Sequence, residues 1–168
     1  LYLGSGDDSL TVNSALVGDN YYFGNTGTDL LNADFSGSSD AITLFVSLNF
    51  ASYVQSASFN MGLSSIERFL VTGSSLNDTM TGGLGADTFV FRLSEGSDTV
   101  TDFSAGAASG DVIQMAGWGA AFDTFAEMIA VATQSGGDVV FNFGNGQTLT
   151  LQSVTLGNLN AGDFIFGP

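Results

Sequence analysis

The chain has 168 residues, 44% of them hydrophobic and 15 of them Phe, enough apolar surface for a buried core in one or two small domains. Seventeen acidic residues face two basic ones, Arg68 and Arg92, for a net charge of −15, which excludes a nucleic-acid or anionic-membrane partner because too few cations are present to neutralise phosphates. With no Cys and no His, disulfides, thiolate or imidazole metal sites, and Ser-His-Asp or Cys-His nucleophiles are excluded, so an enzyme is not expected.

In chain order, the first recognisable unit is Leu3-Gly4-Ser5-Gly6-Asp7-Asp8-Ser9-Leu10-Thr11, in which two glycines, an Asp and an apolar residue sit at offsets that recur later. The next copy runs from Gly24 through Gly27 and Asp29 to Leu31 and Asn32. Residues 41–50 mix strict alternation with an apolar run, and residues 56–61 alternate weakly; both read as strands that extend a sheet without glycine-rich turns. Residues 65–71, which include Glu67 and Arg68, lead back to the repeats. Gly73-Ser74-Ser75-Leu76-Asn77-Asp78-Thr79-Met80-Thr81 is then followed, in nine-residue register, by Gly82-Gly83-Leu84-Gly85-Ala86-Asp87-Thr88-Phe89-Val90.

After Asp102 and Phe103 the rhythm changes. Residues 104–110 are all Gly, Ala or Ser, and Asp111, Val112 and Ile113 resume a strand. A helix is predicted over about 124–133, with Asp123 as N-cap, Glu127 near the positive end of the dipole, and an apolar stripe of Phe125, Met128, Ile129 and Ala132. A hairpin follows, with arms at 138–143 and 147–152 around Gly144-Asn145-Gly146, and the chain closes on an acidic-apolar segment at 161–166. Trp118 reads as a packing anchor of this C-terminal part. No run of about 18 apolar residues exists, so membrane insertion is not expected.

The unit at 82–90 matches the pattern G-G-x-G-x-D-x-U-x in full, U being a large apolar residue, and the other three units match in part. They resemble the nonapeptide repeats of repeats-in-toxin proteins. The resemblance implies a mainly β fold, a parallel β-roll over 1–103 with a non-repeat insert at about 41–70, closed by a C-terminal cap over 104–168. It also implies a calcium-binding module of a larger bacterial protein, exported by type I secretion machinery that reads a signal at the C-terminal end and released as a secreted or cell-surface protein. The chain starts at Leu1 inside a repeat, so any catalytic domain is expected upstream.

The physical logic of the repeat stands beside the resemblance. Six residues make a turn whose glycines take backbone angles closed to other residues, and three make a short strand. The eighth residue, Leu10, Leu31, Met80 or Phe89, points inward. The sixth-position carboxylate stays in the turn with backbone carbonyls, an all-oxygen set suited to calcium. The candidate metal residues are therefore Gly4, Gly6, Asp8, Gly24, Gly27, Asp29, Gly73, Asp78, Gly82, Gly83, Gly85 and Asp87. In the family an ion lies between turns 18 residues apart, which sets Glu67 opposite the Asp87 turn, the segment with Glu95 and Asp98 opposite the Asp78 turn, and Asp8 facing Asp29. Asp19, Asp34 and Asp40 are expected along the opposite edge. Asp98, Asp102 and Asp111 keep two readings, ligands of a final ion or solvated turn residues, whereas Asp138 and Asp163 read as strand-end residues.

Two other function classes fit parts of the pattern. Gly-Asp pairs are also ordinary turn chemistry, and a pair of carboxylates could hydrolyse a glycoside, but no Arg, Trp or Tyr cluster accompanies the Asp turns. The competing reading is self-association, an extracellular surface-layer, adhesin or filament subunit whose open sheet ends add further copies.

Overall fold

The computed structural model describes residues 1–15, 18–47, 51–106 and 110–167. Among them, the chain winds as a coil that lays its strands alternately in two sheets. The first half comprises β1 (Tyr2–Ser5), β2 (Ser9–Asn13), β3 (Gly18–Thr26), β4 (Leu30–Asp34), β5 (Thr43–Phe45), β6 (Ser52–Gln55), β7 (Phe59–Ser64) and β8 (Arg68–Thr72). The second half adds β9 (Thr79–Met80), β10 (Thr88–Arg92), β11 (Ser97–Val100), β12 (Val112–Ala116), α1 (Phe125–Ala130), β13 (Ala132–Ser135), β14 (Asp138–Gly144), β15 (Gln147–Leu151) and β16 (Phe164–Phe166). One sheet has the order β1-β3-β7-β6-β5-β9-β11-β15-β14-β13, the other β16-β12-β10-β8-β4-β2.

The six-stranded sheet is parallel throughout, and the ten-stranded sheet is parallel apart from the β5-β6-β7 meander and the β13-β14-β15 hairpins. The fold is thus the mainly β parallel roll that the repeats imply, with one short helix. The sheets run on past residue 103, since β12 and β16 extend one and β15 pairs in parallel with β11 in the other. The C-terminal part is accordingly built onto the end of the roll.

The core lies between the sheets. Leu31, Phe69, Phe89 and Ile113 from the six-stranded sheet meet Leu44, Met61, Val100 and Leu149 from the other, all at 1% exposure or less. Each such side chain contributes about 1.5–3 kcal/mol by leaving water. Of the four inward repeat positions, Leu31, Met80 and Phe89 are buried and Leu10, on the edge strand β2, is partly so. The insert differs in detail from its expectation: its strands are β5, β6 and β7, with β6 unanticipated, and residues 48–50 lie outside the described residues.

At the C-terminal end two boundaries are corrected. Thr124, not Asp123, is the N-cap, because its side chain accepts from the Glu127 N–H while the Glu127 carboxylate accepts from the Thr124 N–H. The helix ends at Ala130, and Ala132 and Thr133 instead pair with β14, a sheet partner that outweighs the extension of a short helix. The β14–β15 turn places Asn145 and Gly146 at φ 55° and 81°, the left-handed pair that a tight hairpin requires. Trp118 is buried, donates from Nε1 to the Phe91 carbonyl at 3.0 Å, and packs against Phe91, Phe122 and Phe143.

Candidate metal centre along one edge of the roll

The chain passes from the ten-stranded to the six-stranded sheet along one edge, through turns at 5–9, 26–30, 64–68 and 80–88 and the segment between β11 and β12. It returns along the opposite edge, through 34–43, 72–79 and 92–97. Because the strands are parallel, equivalent turn residues stack above one another. On the first edge this stacks Asp8, Asp29 and Glu67, then Asp87 and Asp111.

Backbone donors tie the stack together. The Asp8 N–H donates to Asp29 Oδ1 at 2.9 Å, the Asp29 N–H to Glu67 Oε2 at 2.9 Å, the Phe69 N–H to Asp87 Oδ1 at 2.8 Å, and the Asp87 N–H to Asp111 Oδ1 at 3.0 Å. Each acid therefore reaches back one coil and satisfies a turn amide that a parallel ladder leaves free. The separations of Asp8 from Asp29 and of Phe69 from Asp87 are 21 and 18 residues, one coil each. Asp78 and Asp87 lie on opposite edges.

The glycines explain how the carboxylates fit. A Cβ on Gly24 would collide with Asp29 Oδ2, one on Gly73 with Asp78 Oδ2, and one on Gly82 with Asp87 Oδ2. The glycine five residues before each Asp thus leaves the space into which that carboxylate folds back. A second set packs coil on coil: a Cβ on Gly27 would meet the Gly6 carbonyl, one on Gly85 the Glu67 carbonyl, and one on Gly24 also the Ser65 carbonyl. At Gly24 and Gly85 a carboxylate oxygen and a carbonyl of the adjacent coil therefore border the same small space. Gly4, Gly6, Gly27 and Gly83 take φ of 126°, 105°, 134° and 91°, a region closed to ordinary side chains.

Among the described residues three oxygens on this edge have no partner. Asp8 Oδ2, Asp29 Oδ2 and Asp87 Oδ2 are buried, accept no hydrogen bond, and belong to the sixth position of three repeats. Leaving a buried carboxylate oxygen bare is costly, and a hard cation is the partner that the all-oxygen surroundings fit. Asp29 and Asp87 with the carbonyls of Ser65 and Glu67 are the residues that would hold it. Among the described residues no three acidic side chains converge, so carbonyls would have to supply much of the coordination.

The electrostatics agree. Burial pushes the Asp87 carboxyl up to about 7, the Phe69 N–H opposes the rise, and the charges of Asp111 and Asp102 add to it. Asp111 is also raised, by burial first and then by Asp102. Asp102 and Asp111 nevertheless have amide partners on every carboxylate oxygen: Asp102 accepts from Gly82 and Gly83 at 2.9 and 2.7 Å, and Asp111 from Asp87 and Ser104 at 3.0 and 2.8 Å.

On the opposite edge Asp78 accepts from the Ile42 N–H at 2.6 Å, the Ser74 N–H at 2.6 Å and the Ser74 hydroxyl at 2.9 Å, while its own N–H donates to Asp98 Oδ1 at 2.9 Å. Glu95 Oε1 is the unpartnered oxygen there, its Oε2 accepting from the Arg92 N–H at 2.6 Å. Burial, with the Asp78 and Glu95 charges, raises Asp98 to about 8, and burial, with Asp78 and Asp34, raises Glu95 to about 7. Asp34 pairs with Arg92 at 3.7 Å and Asp40 accepts from the Ser56 and Ser58 hydroxyls. Asp138 accepts from the Ser153 N–H at 2.9 Å, and Asp163, buried, accepts from Gly106 and Asn160 at 2.8 and 2.7 Å, so it fastens the β11–β12 segment to the chain end. That role was not legible in the sequence, since the two partners are 57 residues apart.

No protein-family model and no curated protein sequence matches the chain. Among solved structures it is similar to the extracellular lipase LipA from Serratia marcescens, at 15% identity and a TM-score of 0.49 over 96% of this chain. It is also similar to the AlgE6R3 subunit of the Azotobacter vinelandii mannuronan C5-epimerase, at 20% identity and a TM-score of 0.41 over 96% of this chain. The chain spans 38% of the lipase and 78% of the epimerase subunit.

Proposed function

We propose that this chain is a calcium-binding roll of the repeats-in-toxin type, which completes its folding when it meets calcium outside the cell and forms part of a larger exported bacterial protein. The observation that carries the reading is the stack of buried carboxylate oxygens of Asp8, Asp29 and Asp87, unpartnered among the described residues, on a single edge, with the Ser65 carbonyl of the adjoining coil beside that of Asp29. At a net charge of −15 the metal-free roll repels itself, and cations bound between coils offset that repulsion while fixing glycine-rich turns. Calorimetric titration of the chelator-treated chain with calcium tests this. Saturable binding abolished by Asp29→Ala with Asp87→Ala supports it, and no heat above dilution overturns it.

The export part of the reading rests on the repeat resemblance and on the acidic-apolar segment at 161–166. A passenger protein carrying residues 104–168 at its C terminus should leave a cell that expresses type I secretion machinery. Retention of that passenger, with the same machinery exporting its own substrate, would refute it.

A further inference from the structure

The outer face of the ten-stranded sheet carries a feature that the turns do not explain. Tyr21 lies directly opposite Gly62, Gly62 opposite Tyr53, and Tyr53 opposite Phe45, so these positions form one row across β3, β7, β6 and β5. Phe23, two residues along β3 and hence on the same face, is opposite Tyr2 on β1. All five aromatic side chains lie outside the hydrophobic core. Tyr2 and Tyr21 are 71% and 58% exposed.

The rings are held in place. Tyr2 stacks on Phe23 at 4.7 Å, Phe45 on Tyr53 at 5.3 Å, and the Tyr21 ring lies against the bare backbone of Gly62, where a Cβ would come within 2.6 Å of it. A parallel row of polar side chains runs beside them, Asn60 opposite Gln55 and Gln55 opposite Thr43. Five strands at the usual spacing make this two-track surface roughly 19 Å wide. A depression of about 420 Å³ bounded by Tyr21, Phe23, Ser52, Gly62 and Ser64 opens at its side.

We propose that this face binds a neutral polysaccharide. A sugar ring has an apolar C–H face, which the electron-rich face of an aromatic ring attracts, and a rim of hydroxyls, which amides and hydroxyls can meet. Two stacked aromatic pairs with Tyr21 between them, beside a row of Asn, Gln and Thr, match both. Charge selects against the alternatives: neither Arg68 nor Arg92 belongs to the five strands of this face, so an anionic polymer would meet −15 of charge without a compensating cation. A dry contact with a second copy would bury the Asn60 and Gln55 amides against an equally anionic body.

Affinity electrophoresis of the calcium-saturated chain in native gels containing laminarin, hydroxyethyl cellulose or galactomannan, with polygalacturonate as the charged control, tests the proposal. At least one neutral polymer should retard the chain. Tyr21→Ala and Tyr53→Ala should each weaken the retardation about tenfold or more, with circular dichroism and melting temperature close to the parent because both side chains lie outside the core. Gly62→Ala should also weaken it by displacing the Tyr21 ring. No retardation by any neutral polymer, retardation indifferent to Tyr21→Ala and Tyr53→Ala, or retardation equally strong in polygalacturonate would overturn the proposal. A dimer by light scattering that Tyr21→Ala dissociates would assign the face to self-association instead and overturn it as well.

Discussion

The two edges of the roll carry the same nonapeptide and put it to different use. On the first edge the sixth-position acids, Asp8, Asp29 and Asp87, each keep one buried oxygen without a partner among the described residues. On the opposite edge Asp78 occupies the same position of its repeat, yet three donors from Ile42 and Ser74 fill its carboxylate. Two of those donors are backbone amides and the third is a side chain. Where the full repeat has Gly83, the Asp78 repeat has Ser74, whose hydroxyl supplies a donor within hydrogen-bond distance of the acid. The second place holds Gly4, Asn25 or Gly83 in the three repeats whose acid keeps a bare oxygen, and none of these supplies a hydroxyl to that acid; Ser74 does.

The largest expected effect is that of removing calcium. With free calcium at about 100 times the dissociation constant, each site on the first edge adds roughly 2.7 kcal/mol, which for a chain of this size corresponds to about 5–10 °C in melting temperature. Differential scanning calorimetry in chelator and in millimolar calcium should show a drop of that order for each ion. Coincident melts would mean that both edges are closed, and the contrast between them would disappear.

Acidity provides the next test, and the sign follows from the raised carboxyls. Asp87 sits at about 7 and Asp98 at about 8, against a starting value of 3.8. A raised carboxyl favours the fold while protonated, so the metal-free roll should be most stable below about pH 4 and lose stability as the pH climbs through 7 and 8. Calcium competes with protons on the first edge, so the melting temperature gained from calcium should grow between pH 5 and pH 8. A gain that shrinks over that range would contradict the assignment.

Single acids should then separate the edges. Asp78→Ala strands the buried Ile42 and Ser74 amides and should cost about 3 kcal/mol at every calcium concentration, read by urea denaturation. Asp87→Ala should instead shift the calcium midpoint upward, with a smaller loss where calcium is absent, because it also removes a buried charge that the metal-free roll tolerates poorly.

Much of this was legible in the sequence, for reasons that particular residues make clear. Parallel coiling makes equivalent repeat residues stack, so the pairing of the Asp87 turn with the segment around Glu67, and of Asp78 with Asp98, follows from counting along the chain. What counting cannot provide is the filling of each oxygen. Whether Asp102 is free or held depends on two amides 20 and 19 residues away, and whether Asp78 is filled depends on the Ile42 amide, 36 residues away, as well as on Ser74. The aromatic row was hidden for a similar reason: Tyr2, Tyr21, Phe23, Phe45 and Tyr53 come from four strands, one of them the unanticipated β6, and only register brings them together. The helix start at Thr124 was readable as Thr-x-x-Glu, but the acidic Asp123 beside it offered a competing cap.

The smallest expected effect is the one most specific to the contrast between edges. Ser74→Ala removes the hydroxyl that donates to Asp78 Oδ1 and accepts from the Leu76 N–H, while leaving the Ile42 and Ser74 amides in place. The loss should be about 1 kcal/mol, the usual net value of one buried hydrogen bond, measured by urea denaturation. If Asp78 is held by protein donors alone, that loss will be the same in low and high calcium, because two amides still occupy the carboxylate. A loss that calcium repairs would mean that the Asp78 turn opens to a cation once its serine is taken away, and that it differs from the first-edge turns in degree rather than in kind.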